Sequence, residues 1–229
     1  MLIERSMHPD WLSNAYAVAD REGGAAVFVD SGADVGPLVA AVERWGATPV
    51  ALLRTHSHHD HVVHEDDLCA RYGIEVVHIG NAAPLSAGDL RIGYEATPGH
   101  ADDHLTFVVE LPGEPAALFT GDILFKDAVG GGDPERVRAS VMSLLEQPDE
   151  APVYPGHTDE TTIGRERGHN PFVRVWSGAE PEGTEAVTVG GRPATLLVWS
   201  PDYDGKGKAW VRFDDGTDAI VGGSRVARD

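Results

Sequence analysis

A dense group of residues that can bind metal ions follows directly on a predicted buried strand. Residues 49–53 form an apolar run that is typical of such a strand. Four histidines and one aspartate then occupy residues 56–61. Imidazole and carboxylate groups suit zinc, iron or manganese, and clustered imidazoles repel one another when protonated unless a cation binds them. Taken alone, the cluster is equally compatible with a polar, histidine-rich surface loop.

Three later strand-like segments also end in a potential ligand, which favours a metal site over a surface loop. His100, Asp122 and His157 each follow such a segment. Seven ligands exceed the needs of one four-coordinate ion, but they suit two ions that share a bridging carboxylate. The seven candidate ligands are His56, His58, Asp60, His61, His100, Asp122 and His157.

Alternating strand and helix patterns over residues 1–176 predict a layered α/β domain, with helices covering a sheet. The predicted strands are residues 2–7, 14–20, 25–30, 49–53, 74–79, 90–97, 105–110, 116–119 and 151–154. The predicted helices are residues 34–45, 64–72 and 134–147. Asp133 and Pro134 fit the N-cap and the first position of the third helix.

A second, smaller unit is predicted after a short break in composition. Residues 177–183 are polar and rich in glycine, proline and glutamate, which indicates a linker. Beyond it, residues 185–189, 194–199, 209–213 and 219–221 are predicted strands separated by glycine-containing turns. We therefore expect a small all-β domain over residues 184–229. This domain is near the lower size limit for independent folding, so it should pack on the first domain or on a partner. If the partner is a second copy of the chain, the protein is a homo-oligomer.

Composition excludes several classes of partner. The 229 residues carry a formal net charge of −19, and no basic stripe is present that would bind a nucleic-acid backbone or an acidic membrane. No run of about 18 apolar residues predicts a transmembrane helix, and residues 1–10 lack the apolar core of a secretory signal. The single cysteine, Cys69, fits a reducing compartment. We expect a cytoplasmic protein that acts on a small molecule.

The combined motifs resemble the metallo-β-lactamase-fold superfamily of metallohydrolases over about residues 1–175. Residues 56–61 match its His-x-His-x-Asp-His motif, and the later His, Asp and His positions follow in the expected order. Within the superfamily, Thr97-Pro98-Gly99-His100, the stretch from Thr120 to Phe125, and Pro155-Gly156-His157 look like the glyoxalase II (hydroxyacylglutathione hydrolase) branch. The resemblance implies a four-layer αββα fold with the small all-β unit appended.

The resemblance also implies a role for each candidate ligand. His56, His58 and His100 would hold one metal ion, while Asp60, His61 and His157 would hold a second. Asp122 would bridge the two ions, so that Asp60 and Asp122 are the candidate catalytic carboxylates. The ions would be two zinc ions, with iron or manganese as alternatives. A bridging hydroxide would attack the carbonyl of an acyl thioester or a related ester.

The sequence departs from the family pattern at two places, the first of which leaves the thiol carrier open. The family's Gly-Arg or Gly-Lys pair after the bridging aspartate, which binds the glutathione portion, is absent from residues 128–133, and Lys126 is the nearest cation. His100 is followed by Ala-Asp-Asp-His rather than Thr-x-Gly-His.

Persulfide dioxygenases resemble the same branch, and there His56, His100 and Asp122 alone would bind one Fe(II). A nuclease of the same fold and a non-catalytic binding protein are weaker alternatives.

Overall fold

A computed structural model describes residues 1–228 and has two central sheets packed face to face. The first sheet has the order β1-β2-β3-β4-β5, antiparallel up to β3 and parallel beyond it. Its strands are β1 (Leu2–Met7), β2 (Asn14–Ala19), β3 (Ala25–Val29), β4 (Thr48–Leu53) and β5 (Glu75–Val77). Their alternating apolar side chains place one face of this sheet against the second sheet.

The second sheet has the order β13-β12-β9-β8-β7-β6, in which only the β9–β12 pair is parallel. Its strands are β6 (Leu85–Ala87), β7 (Leu90–Ala96), β8 (Leu105–Glu110), β9 (Ala117–Gly121), β12 (Pro152–Pro155) and β13 (Thr161–Thr162). A separate small hairpin, β10 (Leu124–Phe125) and β11 (Ala128–Val129), follows β9. Side chains such as Val27, Leu53 and Phe119 fill the space between the two sheets.

Helices cover the outer face of each sheet. They are α1 (Gly36–Trp45), α2 (His59–Val62), α3 (Glu65–Tyr72), α4 (Pro134–Leu144), α5 (Ile163–His169) and α6 (Pro171–Trp176). The apolar faces of α1 and α3 pack on the first sheet, and those of α4, α5 and α6 pack beside the second. The predicted four-layer αββα architecture is therefore confirmed. No helix among residues 1–228 has both the length and the apolar composition to cross a membrane.

The C-terminal residues form an all-β unit, as predicted. It is a five-stranded antiparallel sheet in the order β17-β16-β15-β14-β18, and its fifth strand, β18, was not predicted. Its strands are β14 (Glu185–Val189), β15 (Arg192–Ser200), β16 (Lys208–Phe213), β17 (Asp218–Gly222) and β18 (Val226–Arg228). One set of its side chains forms a core of its own, around Val211. Another set, including Val198, Trp210 and Ile220, joins the buried cluster that contains Trp176. The unit thus packs on the first domain, and its exact boundary stays a prediction.

The structure adds elements that the sequence patterns did not predict. The histidine cluster includes the one-turn helix α2, and α5 and α6 lie in a segment for which we predicted no helix. The signals for both later helices are local: the side chain of Thr162 accepts a hydrogen bond from the Arg165 N–H, and the side chain of Asn170 accepts one from the Phe172 N–H. Helix α4 ends at Leu144, three residues before the predicted end.

Candidate metal centre

The seven candidate ligands meet at one edge of the two-sheet core, because each follows the end of a strand or lies in the turn after it. His56 and His58 follow β4, and Asp60 and His61 lie in α2 directly afterwards. The remaining three follow strands of the second sheet: His100 follows β7, Asp122 follows β9 and His157 follows β12. Strands β9 and β12 are parallel neighbours, so their carboxyl ends deliver Asp122 and His157 to the same place.

Three imidazoles converge in the first half of this site. The Nδ1 atom of His58 lies 3.0 Å from Nε2 of His56 and 2.9 Å from Nε2 of His100. His56 is buried, whereas His58 is exposed, so this half opens towards solvent. The Nδ1 atom of His58 carries either one proton or one lone pair. It therefore cannot form a full hydrogen bond with both neighbouring nitrogens. A cation that accepts all three lone pairs removes this conflict.

One carboxylate and two imidazoles converge in the second half. The Nε2 atom of His157 lies 3.5 Å from Oδ2 of Asp60, and the Nε2 atom of His61 lies 3.8 Å from the same oxygen. The side chains of His61 and His157 are almost fully buried, and that of Asp60 is 29% exposed. This second trio is therefore deeper than the first.

Asp122 lies between the two trios. Its Oδ2 atom is 3.5 Å from Nε2 of His100 in the first trio and 3.3 Å from Nε2 of His157 in the second. Its Oδ1 atom is 3.3 Å from Nε2 of His61. These two last atoms are buried and have no hydrogen-bond partner among residues 1–228. Buried polar atoms without partners are costly, so their position fits a pair of divalent cations bound on either side of Asp122.

Charge in the site also fits bound cations. Burial lowers the pKa of His56 and His100, which keeps these imidazoles neutral and their lone pairs free. Burial alone would lower the pKa of His157 as well, but the carboxylates of Asp122 and Asp60 raise it to about 9. Burial would raise the pKa of Asp122, but the imidazoles of His157 and His61 hold it well below its usual range. The negative charge of Asp122 and Asp60 in the second half must therefore be balanced, either by protons on the histidines or by a metal ion.

Three groups that the sequence analysis did not identify orient the histidines. The Oδ2 atom of Asp30 accepts hydrogen bonds from His61 Nδ1 and from the Thr55 hydroxyl, both at 2.8 Å. The backbone carbonyl of Leu12 accepts a bond from His157 Nδ1 at 2.9 Å, and that of Gly131 accepts one from His100 Nδ1 at 2.9 Å. With Nδ1 protonated in each case, Nε2 is left with a free lone pair, as a metal ligand requires.

The remaining histidines near the motif have other contacts. His104 is fully buried, and its Nε2 accepts a hydrogen bond from the backbone N–H of Asp122 at 3.0 Å. Burial lowers the pKa of His104 to about 3, so the neutral ring suits this acceptor role. His59, the extra histidine within the motif, is exposed and contacts the ring of Trp11. Neither belongs to either trio.

Glycine is required beside the site. A Cβ atom at Gly156 would lie 2.2 Å from Oδ1 of Asp122 and 2.8 Å from Cε1 of His61. A Cβ atom at Gly32 would lie 1.5 Å from the backbone oxygen of Asp60. The absence of side chains at these two positions lets the backbone approach the ligands closely.

Comparison with known proteins identifies the family. The chain is 32% identical over 201 residues to a hydroxyacylglutathione hydrolase of Chromohalobacter salexigens, a match that covers 65% of this chain and 77% of that protein. The chain belongs to the glyoxalase II-like branch of the metallo-β-lactamase superfamily. It resembles the solved BLEG-1 B3 metallo-β-lactamase, with 27% identity, a TM-score of 0.66, and coverage of 75% of this chain and 99% of that one. No protein-family model matches the chain.

A second solved structure matches a similar share of this chain. The glyoxalase II-like chain is 30% identical to TTHA1623, which was solved in a di-iron-bound form, with a TM-score of 0.59. That match covers 73% of this chain and 98% of the other. Both structural matches cover nearly all of the other chain and leave about a quarter of this one uncovered. This glyoxalase II-like chain is therefore longer than these two relatives.

We expect Asp30→Asn to lower metal affinity by about 10–100-fold, because a neutral amide orients the buried His61 less strongly than a carboxylate does. The measurement is a titration of metal-free protein with Zn²⁺ in competition with a chromophoric chelator. Asp34→Asn is the matched control, since Asp34 is exposed and its Oδ1 only accepts a bond from the Gly36 N–H. Equal affinities for the Asp30 variant and the unsubstituted protein would contradict this role of Asp30.

Proposed function

We propose that this protein is a dinuclear metal-dependent hydrolase that cleaves an acyl thioester or a related ester. The observation that carries the proposal is the position of Asp122, whose two carboxylate oxygens face imidazoles of both trios at 3.3–3.5 Å. His56, His58 and His100 would hold one ion, and Asp60, His61 and His157 would hold the other. When bound, the two ions would polarise the carbonyl and lower the pKa of a water molecule to near neutrality.

The residues of the chain supply the surroundings that such a reaction needs. Burial of His56, His61 and His157 excludes bulk water from the inner part of the site, which strengthens electrostatic interactions there. Asp60 lies at the partly exposed side of the second trio, and neighbouring histidines hold its pKa below the usual range although burial raises it. It is therefore an ionised carboxylate, suited to bind a cation.

The second trio favours the two-metal hydrolase over a mononuclear iron oxygenase. An oxygenase site with His56, His100 and Asp122 would need three protein ligands and open positions for O₂. Asp60, His61 and His157 would then have no role in metal binding, yet they converge and are mostly buried. The di-iron form of TTHA1623, a relative at 30% identity, supports two ions, and it keeps iron as an alternative to zinc.

The thiol carrier is a separate part of the proposal. The cation nearest to the family's glutathione-binding position, Lys126, is about one-third exposed, and its Nζ lies 3.8 Å from a carboxylate oxygen of Asp159. Arg5 also approaches Asp159, and the three residues line one cavity of about 560 Å³. Because these cations are already paired with a carboxylate, we propose an acyl thioester without specifying glutathione as the thiol.

Elemental analysis of protein purified without added metal or chelator tests this proposal first. We expect about two zinc, iron or manganese ions per chain. Thioesters of several low-molecular-weight thiols would then be screened by following the free thiol released, with a chelator-treated sample as the control. One iron per chain, together with oxygen consumption on a persulfide substrate and no thiol release, would replace the hydrolase with the dioxygenase.

A further inference from the structure

The C-terminal sheet contributes an aromatic ring to the metal centre. Tyr203 lies in the loop of residues 201–207, between β15 and β16. Its ring stacks on the imidazole of His157, with centroids 4.0 Å apart and planes inclined by 8°. Phe125 contacts both rings edge-on, at centroid distances of 5.7 Å from Tyr203 and 5.8 Å from His157. We propose that Tyr203 is a positioning residue that holds His157, so that the C-terminal unit completes the second half of the metal centre.

This inference rests on the proposed role of His157 as a metal ligand. His157 already donates its Nδ1–H to the carbonyl of Leu12 at 2.9 Å, which fixes one end of the ring. Tyr203 covers a face of the ring and Phe125 meets it edge-on, so rotation away from Asp122 requires these contacts to break. The ring of His157 is only 2% exposed, so this cover also excludes water from the second trio.

The loop that carries Tyr203 is fixed at its base. Lys208 and Asp202 form an ion pair of 2.9 Å, and their side chains are only 10% and 4% exposed. Loss of either partner would leave a buried charge uncompensated, which is strongly unfavourable. The N–H of Gly223 also donates to the carbonyl of Gly207 at 2.6 Å, which ties the end of the loop to the segment after β17. These contacts hold the loop, and with it the Tyr203 ring, against the site.

The C-terminal unit docks through apolar contacts that do not include Tyr203. The buried cluster between this unit and the helices contains Leu197, Val198, Trp210 and Ile220, and Tyr203 is absent from it. These apolar residues hold the unit on the first domain. One such contact joins Trp210 and Trp176, whose ring centroids are 6.2 Å apart. The stacking on His157 is a separate contact, and its removal should affect the metal centre while leaving the domain packing in place.

The test is a zinc titration of metal-free full-length protein in competition with a chromophoric chelator, for the unsubstituted protein and three variants. We expect Tyr203→Ala to weaken one of the two zinc-binding steps by about 10-fold or more, as loss of an orienting contact does, and to leave the other step unchanged. Tyr203→Phe keeps the stacked ring and should restore both steps. Phe213→Ala, an aromatic truncation in β16 at a residue that contacts Arg192, should alter neither.

Unchanged affinities in Tyr203→Ala would overturn the inference. The thermal midpoint of each metal-free variant shows whether it is folded at the temperature of the titration, so that a weakened zinc-binding step in a folded variant reports positioning. If Tyr203→Ala did not fold, Tyr203→Leu would be titrated in its place, because leucine keeps apolar volume but has no flat ring. Unchanged zinc affinities in Tyr203→Leu would also overturn the inference. Unsubstituted protein that binds fewer than two zinc ions would contradict the proposed dinuclear function, whereas the comparison between variants addresses Tyr203 alone.

Discussion

Replacing Asp122 by asparagine is expected to reduce kcat/KM for thioester hydrolysis by about 10³-fold or more and to lower the metal content below two ions per chain. Asp122 faces both trios, and its buried Oδ1 has no hydrogen-bond partner among residues 1–228. Asparagine has nearly the same size, but it carries no charge and offers one acceptor oxygen instead of two. The substitution therefore removes the shared ligand and leaves the packing largely intact.

Metal content by elemental analysis and initial rates of thiol release measure this effect. Asp67→Asn is a matched control, because it makes the same chemical change at a carboxylate that is 78% exposed and lies outside both trios. Cys69→Ala is a second control and should change neither metal content nor rate. Full turnover in the Asp122 variant would show that the two-metal assignment is wrong.

The arrangement of strands and ligands could be predicted from the sequence because its signals are local. Each predicted ligand follows a short apolar or alternating segment, and such segments are recognisable as strands without knowledge of their partners. The motif at residues 56–61 and the later positions His100, Asp122 and His157 therefore identified the family and its four-layer fold, which the structure confirms. The structure brings all seven residues together, while their roles as metal ligands stay predictions.

The groups around these ligands could not be predicted in the same way, because they lie far away along the chain. Asp30 is 31 residues before His61, and the carbonyl of Leu12 is 145 residues before the His157 ring that it orients. A backbone carbonyl gives no signal in side-chain patterns. Asp30 did carry one signal, since it follows strand β3, and the strand-end argument used for the ligands would have identified it as a candidate.

Tyr203 illustrates a further limit of sequence reasoning. The C-terminal strands were predicted from their own alternation and glycine turns, which describe the sheet and contain no information on where it docks. The contact between Tyr203 and His157 depends on the packing of Trp210 and Ile220 against the first domain. A tyrosine in a loop with the sequence Pro-Asp-Tyr-Asp-Gly is indistinguishable from a surface residue until that packing is known.

Removal of metal with a strong chelator is expected to lower the thermal midpoint of unfolding by about 8–16 °C. Ligands that bind only the folded state stabilise it by about 4 kcal/mol when free metal is a thousand times the dissociation constant. Each kcal/mol shifts the midpoint of a chain of this size by about 2–4 °C. The reason lies where Asp122 meets the second trio, because the buried Oδ1 of Asp122 and Nε2 of His61 have no hydrogen-bond partners among residues 1–228. Differential scanning calorimetry before and after chelation measures the shift.

The Asp122→Asn variant separates metal binding from other effects of the chelator. If bound metal stabilises the fold through Asp122, the variant should show a much smaller shift on chelation than the unsubstituted protein, and added zinc should restore the midpoint only of the latter. Equal midpoints with and without chelator in the unsubstituted protein would mean that the buried His61, His157 and Asp122 stabilise one another through protons. In that case protonation of His157, whose pKa the carboxylates of Asp122 and Asp60 raise to about 9 against the effect of burial, would offset the buried negative charge, and metal would not contribute to folding.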